Sequence, residues 1–171
     1  ATKEYFSGNT EEAISIFKSI LNKVPADGSI KWIALFDLMN LYDQTGNTRA
    51  LIGELNNLSG ILKKNKALLL KKNRTFLLQS VMHDYFLAKV RGHQGKFKQA
   101  IQTLENVLSA LKYPLTSMIS LDLDIRLDLA NYYMWSGDFK NAEKFMSRAV
   151  IMAASINGLG AYNSLNVIKN Y

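Results

Sequence analysis

Residues 137–150 read Gly137-Asp138-Phe139-Lys140-Asn141-Ala142-Glu143-Lys144-Phe145-Met146-Ser147-Arg148-Ala149-Val150. After the glycine and Asp138, apolar side chains recur at three- and four-residue steps: Phe139, Ala142, Phe145, Met146, Ala149 and Val150. That spacing lines them along one side of an α-helix. The glycine ahead of them suits the end of a preceding helix, where a left-handed residue satisfies orphan carbonyls without a Cβ penalty. Asp138 suits the start of the next helix, because its carboxylate accepts from the free N–H groups there. The stretch predicts two helices joined by a tight turn.

The pattern occurs three more times, as Gly8-Asn9-Thr10-Glu11-Glu12-Ala13-Ile14, Gly46-Asn47-Thr48-Arg49-Ala50-Leu51-Ile52 and Gly95-Lys96-Phe97-Lys98-Gln99-Ala100-Ile101. The glycines at 8, 46, 95 and 137 stand 38, 49 and 42 residues apart. Asn9 with Glu12 predicts a capping box. Ala13, Ala100 and Ala142, each five after its glycine, let two helices approach closely, and Phe17, Leu104 and Met146 fill the space beyond. The second copy departs most, with Leu51 at the small position. No single hairpin of this kind buries its apolar stripe alone, so the copies must stack.

Glycine, aromatic, alanine, then a bulky and a small or apolar residue resembles the second half of a tetratricopeptide repeat. The first copy carries Gly8, Ala13, Phe17, Ile20 and a closing Pro25; the last carries Gly137, Phe139, Ala142, Met146 and Ala149. Upstream, Leu129-Ala130 and Tyr133, Leu38 and Tyr42, and Leu87-Ala88 stand where the family places Leu-Gly/Ala and Tyr on the first helix. The resemblance covers nearly the whole chain. It implies an all-α, right-handed α-solenoid of antiparallel helix pairs, with about eight helices. The intervals exceed the family period of about 34 residues. Lengthened repeats of that kind are similar to sensor domains of bacterial transcription regulators. Periodicity predicts helices at about 10–23, 29–45, 48–63, 67–93, 96–111, 115–136, 139–156 and 159–170.

Composition agrees with helices. The two prolines, Pro25 and Pro114, are too few for a turn-rich β fold. Hydrophobic residues at 48% supply a continuous core. With no cysteine, disulfides and thiolate metal sites are excluded. Apolar runs are broken by Lys, Asp or Asn, well short of the roughly 20 residues of a membrane span. A cytoplasmic location is expected, and residues 1–171 read as one repeat domain within a longer chain. Twenty-one Lys and Arg against 14 Asp and Glu give a net charge of +7, compatible with an acidic partner.

Catalytic constellations are thin. His83 and His93 lie ten apart on one predicted helix without a carboxylate at metal-ligand spacing. The glycines are isolated, so no phosphate loop is present, and no nucleophile elbow occurs. The expectation is a non-catalytic scaffold that binds a protein or peptide and needs no cofactor or metal. Aligning the first helices by their trailing glycines gives the positions that the resemblance turns toward a concave groove. These are Ile33, Phe36, Asp37, Asn40 and Asp43; then Met82, Tyr85, Phe86, Lys89 and His93; then Asp124, Leu127, Asp128, Asn131 and Trp135. The partner-binding set is Phe36, Asp37, Asn40, Asp43, Tyr85, Lys89, Asp124, Asp128, Asn131 and Trp135. Asn40 and Asn131 stand six before Gly46 and Gly137. An amide there both donates to and accepts from an extended peptide backbone. The aspartates favour a ligand bearing Lys, Arg or a free amine. Tyr132, Tyr133, Trp135, Trp32 and Phe36 serve either as anchoring pockets or as packing between helices.

Lys63, Lys64, Lys71 and Lys72 form the densest basic segment and are a candidate anion-binding site. Aromatics for base stacking are not interleaved there, so nucleic acid is not the expected partner. The alternatives to a plain interaction module are a ligand- or peptide-sensing and oligomerisation domain of a bacterial transcription regulator, compatible with a homo-oligomer, and a basic helical array that contacts nucleic acid.

Overall fold

The computed structural model describes residues 9–24, 29–64, 74–111 and 119–157. Seven helices run through the described residues: α1 (Thr10–Lys23), α2 (Ser29–Gln44), α3 (Thr48–Lys64), α4 (Arg74–His93), α5 (Phe97–Ala110), α6 (Ile119–Trp135) and α7 (Phe139–Asn157). Their bounds follow the periodicity closely. Residues 67–73 and 115–118, the helix expected at 159–170, and Gly8, Pro25 and Pro114 lie outside the described residues.

Three turns have one construction. Gly46, Gly95 and Gly137 are left-handed, with φ of 68°, 71° and 84°. At each, the glycine N–H donates to the carbonyl three residues back: Asp43 at 3.0 Å, Gly92 at 2.9 Å and Met134 at 3.0 Å. The next N–H donates to the carbonyl five back: Asn47 to Tyr42 at 2.8 Å, Lys96 to Arg91 at 2.9 Å and Asp138 to Tyr133 at 2.9 Å. This is the Schellman closure, which satisfies the last carbonyls of one helix while the chain reverses. The following residue opens the next helix. Asn47 accepts from the Ala50 N–H at 3.2 Å, and Asp138 from the Asn141 N–H at 3.1 Å. Lys96 makes no side-chain cap. At α1, Asn9 accepts from the Glu12 N–H at 3.3 Å, but Glu12 bonds the Asn9 side-chain amide instead of its backbone N–H. The expected capping box is thus closed through side chains.

The helices divide into two kinds. On α1, α3, α5 and α7 the apolar residues gather on one side; on α2, α4 and α6 they are distributed all round. A helix apolar on every side is one covered by neighbours on more than one flank. The sequence therefore builds hairpins whose first helix is sandwiched and whose second carries a solvated face.

The chain forms two compact units, Ala1–Phe86 and Leu87–Tyr171, with the boundary inside α4. In the first, α1 packs on α2 and α2 on α3. Ala13, Leu38, Met39, Leu51 and Leu58 are fully buried there. Lys18 lies 5.9 Å above the Tyr42 ring. In the second, α5 packs on α6 and α6 most extensively on α7. Ala88, Ala100, Leu104, Ile125, Leu129, Ala130 and Ala149 have no exposed surface. Each large apolar side chain so buried contributes about 1.5–3 kcal/mol. Tyr133 of α6 stacks on Phe145 of α7 with centroids 5.6 Å apart, and its hydroxyl donates to Glu105 of α5 at 2.7 Å. Burial, then the Glu105 bond, raise the Tyr133 phenol well above its ordinary range.

Candidate functional site

On α6, the side chains at Asp124, Asp128, Asn131 and Trp135 follow one another at steps of four, three and four, and so share one strip. Lys89 from α4 reaches across to Asp128, with Nζ 3.2 Å from Oδ1 and 3.1 Å from Oδ2. Both side chains are about five-sixths buried, at 15% and 16% exposure. Asp124 lies one helical turn before Asp128. It keeps one side open to solvent while the rest lies among protein atoms, so its desolvation is partial. That burial, with the neighbouring Asp128, pushes its carboxyl up to about 6, and Lys89 pulls the other way. Asn131 is half-buried. Trp135 is 56% exposed and leans on Phe97 and Tyr132, with centroids 5.6 and 5.8 Å away. On another flank of α6, Arg126 Nε lies 2.8 Å from Asp122 Oδ1.

In the first unit the corresponding strip is on α2. Ile30 and Ile33 are each 62% exposed, and Asp37 and Asn40 follow at helical spacing on the same side. Both polar side chains are half-buried. Desolvation alone raises the Asp37 carboxyl above its ordinary value. The Asn40 side chain makes no hydrogen bond among the described residues. Phe36 is half-buried, with Tyr85 and Phe86 at centroid distances of 6.3 and 5.4 Å. Asp43, also half-buried, ends the strip at the turn, where its carbonyl accepts from Gly46.

Two expectations change. Tyr85 is only 2% exposed, and Met82 and Phe86 are buried with it. The α4 positions expected to line a groove are core in the first unit. Tyr85 and Phe86 meet edge to face at 5.1 Å, and Phe36 covers them. Trp32 and Tyr132 are buried too, so they serve packing instead of anchoring. Lys63 and Lys64 are exposed on the last turn of α3, while Lys71 and Lys72 lie outside the described residues. His83 contacts the adjacent Asp84 at 2.9 Å, and His93 is exposed at the end of α4.

One close approach was invisible to repeat alignment. A Cβ at Gly92 of α4 would sit 2.5 Å from Cε1, Cζ and the hydroxyl of Tyr132 on α6. A lone glycine inside a helical pattern marks such a contact, but the partner, 40 residues on, is not readable from the sequence. Among the described residues no helix is long and apolar enough to cross a membrane, and no three His, Asp or Glu side chains group as metal ligands.

No family model matches the sequence, and no curated protein matches it. Solved structures do. A Podosopora anserina protein described as a putative kinesin light chain with nearly identical TPR-like repeats superposes with a TM-score of 0.55 at 16% identity, over 90% of this chain and 72% of that one. A variant of that protein with one glutamine replaced by methionine matches with a TM-score of 0.55 at 17% identity, over 90% and 71%. At such identities the likeness is one of fold. The chain has an all-helical, tetratricopeptide-like repeat fold.

Proposed function

We propose that the chain is a non-catalytic scaffold that binds a protein or peptide segment on the mixed strips of its first-type helices, α2 in one unit and α6 in the other. The observation that carries this reading is the α2 strip. Two large aliphatic side chains, Ile30 and Ile33, stand open to solvent in line with Asp37 and an Asn40 amide that has no partner among the described residues. Apolar area beside unspent hydrogen-bonding capacity suits an extended chain: side chains cover the isoleucines, and the amide donates to a backbone carbonyl and accepts from an N–H. On α6, Trp135 and Asn131 repeat the pairing of exposed apolar surface with an amide, and Asn131 stands at the same distance from its glycine as Asn40. Isolated carboxylates on both strips favour a ligand with basic residues.

The test is selection of binding peptides from a displayed random library, followed by affinity measurements on variants. Asn40→Ala and Asn131→Ala are expected to weaken the selected peptides by about 1–2 kcal/mol, roughly 5- to 30-fold, with melting temperatures unchanged. Peptides indifferent to both substitutions would refute the reading. The lengthened glycine intervals support a second reading, a peptide- or ligand-sensing and oligomerisation domain of a bacterial transcription regulator. It requires a DNA-binding domain in the intact protein, and an intact protein without one refutes it.

A further inference from the structure

We propose that the α6 strip is a proton-operated charge switch, in which two carboxylates one turn apart share a single lysine from α4 and exchange one proton with solvent. As a device for holding and releasing a cationic ligand, it rests on the binding reading above. The geometry assigns unequal roles to the pair. Lys89 is committed to Asp128 through both carboxylate oxygens, at 3.2 and 3.1 Å. Asp124, at the preceding turn on the same side of α6, has no hydrogen bond among the described residues. With both carboxylates ionised, the triad of Lys89, Asp124 and Asp128 carries one net negative charge. When Asp124 takes a proton from solvent the triad is neutral, and the Lys89–Asp128 pair remains intact.

The surroundings leave no other charge to settle the balance. Asp128 and Lys89 are the charged groups that act on Asp124, after burial. On α6 itself, Arg126 is taken by Asp122 one turn away. On α4, Arg91 is bonded to Thr103 of α5, and His93 is exposed in the last turn. On α5, Glu105 accepts from Tyr133. The buried side chains of α7, Ala142, Phe145, Ala149 and Ala153, bring no charge. Two like charges beside one opposite charge, partly out of water, cannot both ionise at the ordinary carboxylate value. The pair then titrates as a unit, with its upper step carried by Asp124.

The experiment is a carboxyl-carbon NMR titration of the free protein between about pH 4 and 8, with melting curves over the same range. Asp124 is expected to titrate with a midpoint of about 6. Asp128→Asn removes the repulsion and releases Lys89, so it should move the midpoint down. Lys89→Met removes the attraction and should move it up. Opposite movements mark a coupled triad; a merely structural ion pair would not produce them. The folded form of such a group binds the proton more tightly than the unfolded form. The melting temperature of the parent should therefore rise relative to Asp124→Asn as pH falls from about 7 to 5. A midpoint near the ordinary carboxylate value, or one that ignores both substitutions, overturns the switch. With a lysine-bearing peptide in hand, affinity should drop about fivefold or more from pH 7.5 to 5 in the parent and stay level in Asp124→Asn. A displaced midpoint with pH-independent binding overturns the ligand gating. Failure to obtain any binding peptide is instead a failure of the scaffold reading, and the free-protein titration judges the switch by itself.

Discussion

Gly92→Ala sets two local effects against each other, and the structure decides which wins. Gly92 lies within α4, and alanine is the better helix former there, by as much as about 1 kcal/mol in a helix interior and less near an end. On helix propensity alone the substitution stabilises. The added methyl, however, would sit 2.5 Å from the Tyr132 ring and hydroxyl. Tyr132 is 6% exposed and stands between Phe97, 6.1 Å away, and Trp135, 5.8 Å away, so its ring has no open space to swing into without separating the cluster. Overpacking of this kind costs about 1–3 kcal/mol. The net expectation is a loss of about 1–2 kcal/mol. For a chain of this length that corresponds to a drop of about 2–8 °C in melting temperature, followed by circular dichroism at 222 nm. A second arm isolates the contact. Tyr132→Leu should cost stability alone, yet in the Gly92→Ala background it should cost much less, leaving a coupling of about 1 kcal/mol or more. A Gly92→Ala protein that melts at or above the parent temperature, or a cycle with additive effects, refutes the close approach of Gly92 and Tyr132.

Two further substitutions separate backbone from side-chain causes. At Gly137, φ is +84° and nothing lies within 4 Å of an added Cβ, so Gly137→Ala should cost about 1–2 kcal/mol through backbone strain alone, and Gly137→Asn clearly less, because asparagine tolerates the left-handed region; equal melting temperatures for the two would contradict this. Tyr133→Phe keeps the stack on Phe145 and loses only the 2.7 Å bond to Glu105, so urea unfolding should show a loss of about 1 kcal/mol, and an unchanged midpoint would place that bond outside the stability of the fold.

The hairpins were legible because their signals are local. Gly46, Gly95 and Gly137, with Asn47 and Asp138 after them, act within five residues of themselves, and each turn is a Schellman closure whose bonds join those residues to the preceding helix end. Ala100 and Ala142 were legible for the same reason: a small residue at a constant distance from the glycine is buried wherever the hairpin closes. The strips were only partly legible. On α6, Asp124, Asp128, Asn131 and Trp135 do share a side, as the alignment by glycine required. On α4 the same alignment turned Tyr85 outward, whereas the structure buries it with Met82 and Phe86. The reason is that α4 has apolar residues all round, so periodicity carries no information about which flank is covered. Lys89 and Asp128 were each singled out from sequence, but their pairing joins residues 39 apart on different helices, and no spacing rule links them.

The property that blurs the first-type helices in sequence also shapes their chemistry. A helix packed on several flanks keeps only a narrow strip for polar groups, and those groups sit beside buried neighbours instead of in open water. Asp37 and Asp124 lie in different units and have different neighbours, yet both carboxyls are raised, and burial is the first cause in each. Asp138, at a turn, shifts the other way through the bonds from Asn141. Position within the repeat, more than residue type, therefore sets the sign. A hydrogen bond or ion pair offered on the strip is made at reduced dielectric, where it is worth more than the same contact at a turn. This is the physical ground for placing recognition on α2 and α6 and not on the lysine-bearing end of α3, where Lys63 and Lys64 are exposed and water competes for every contact they make.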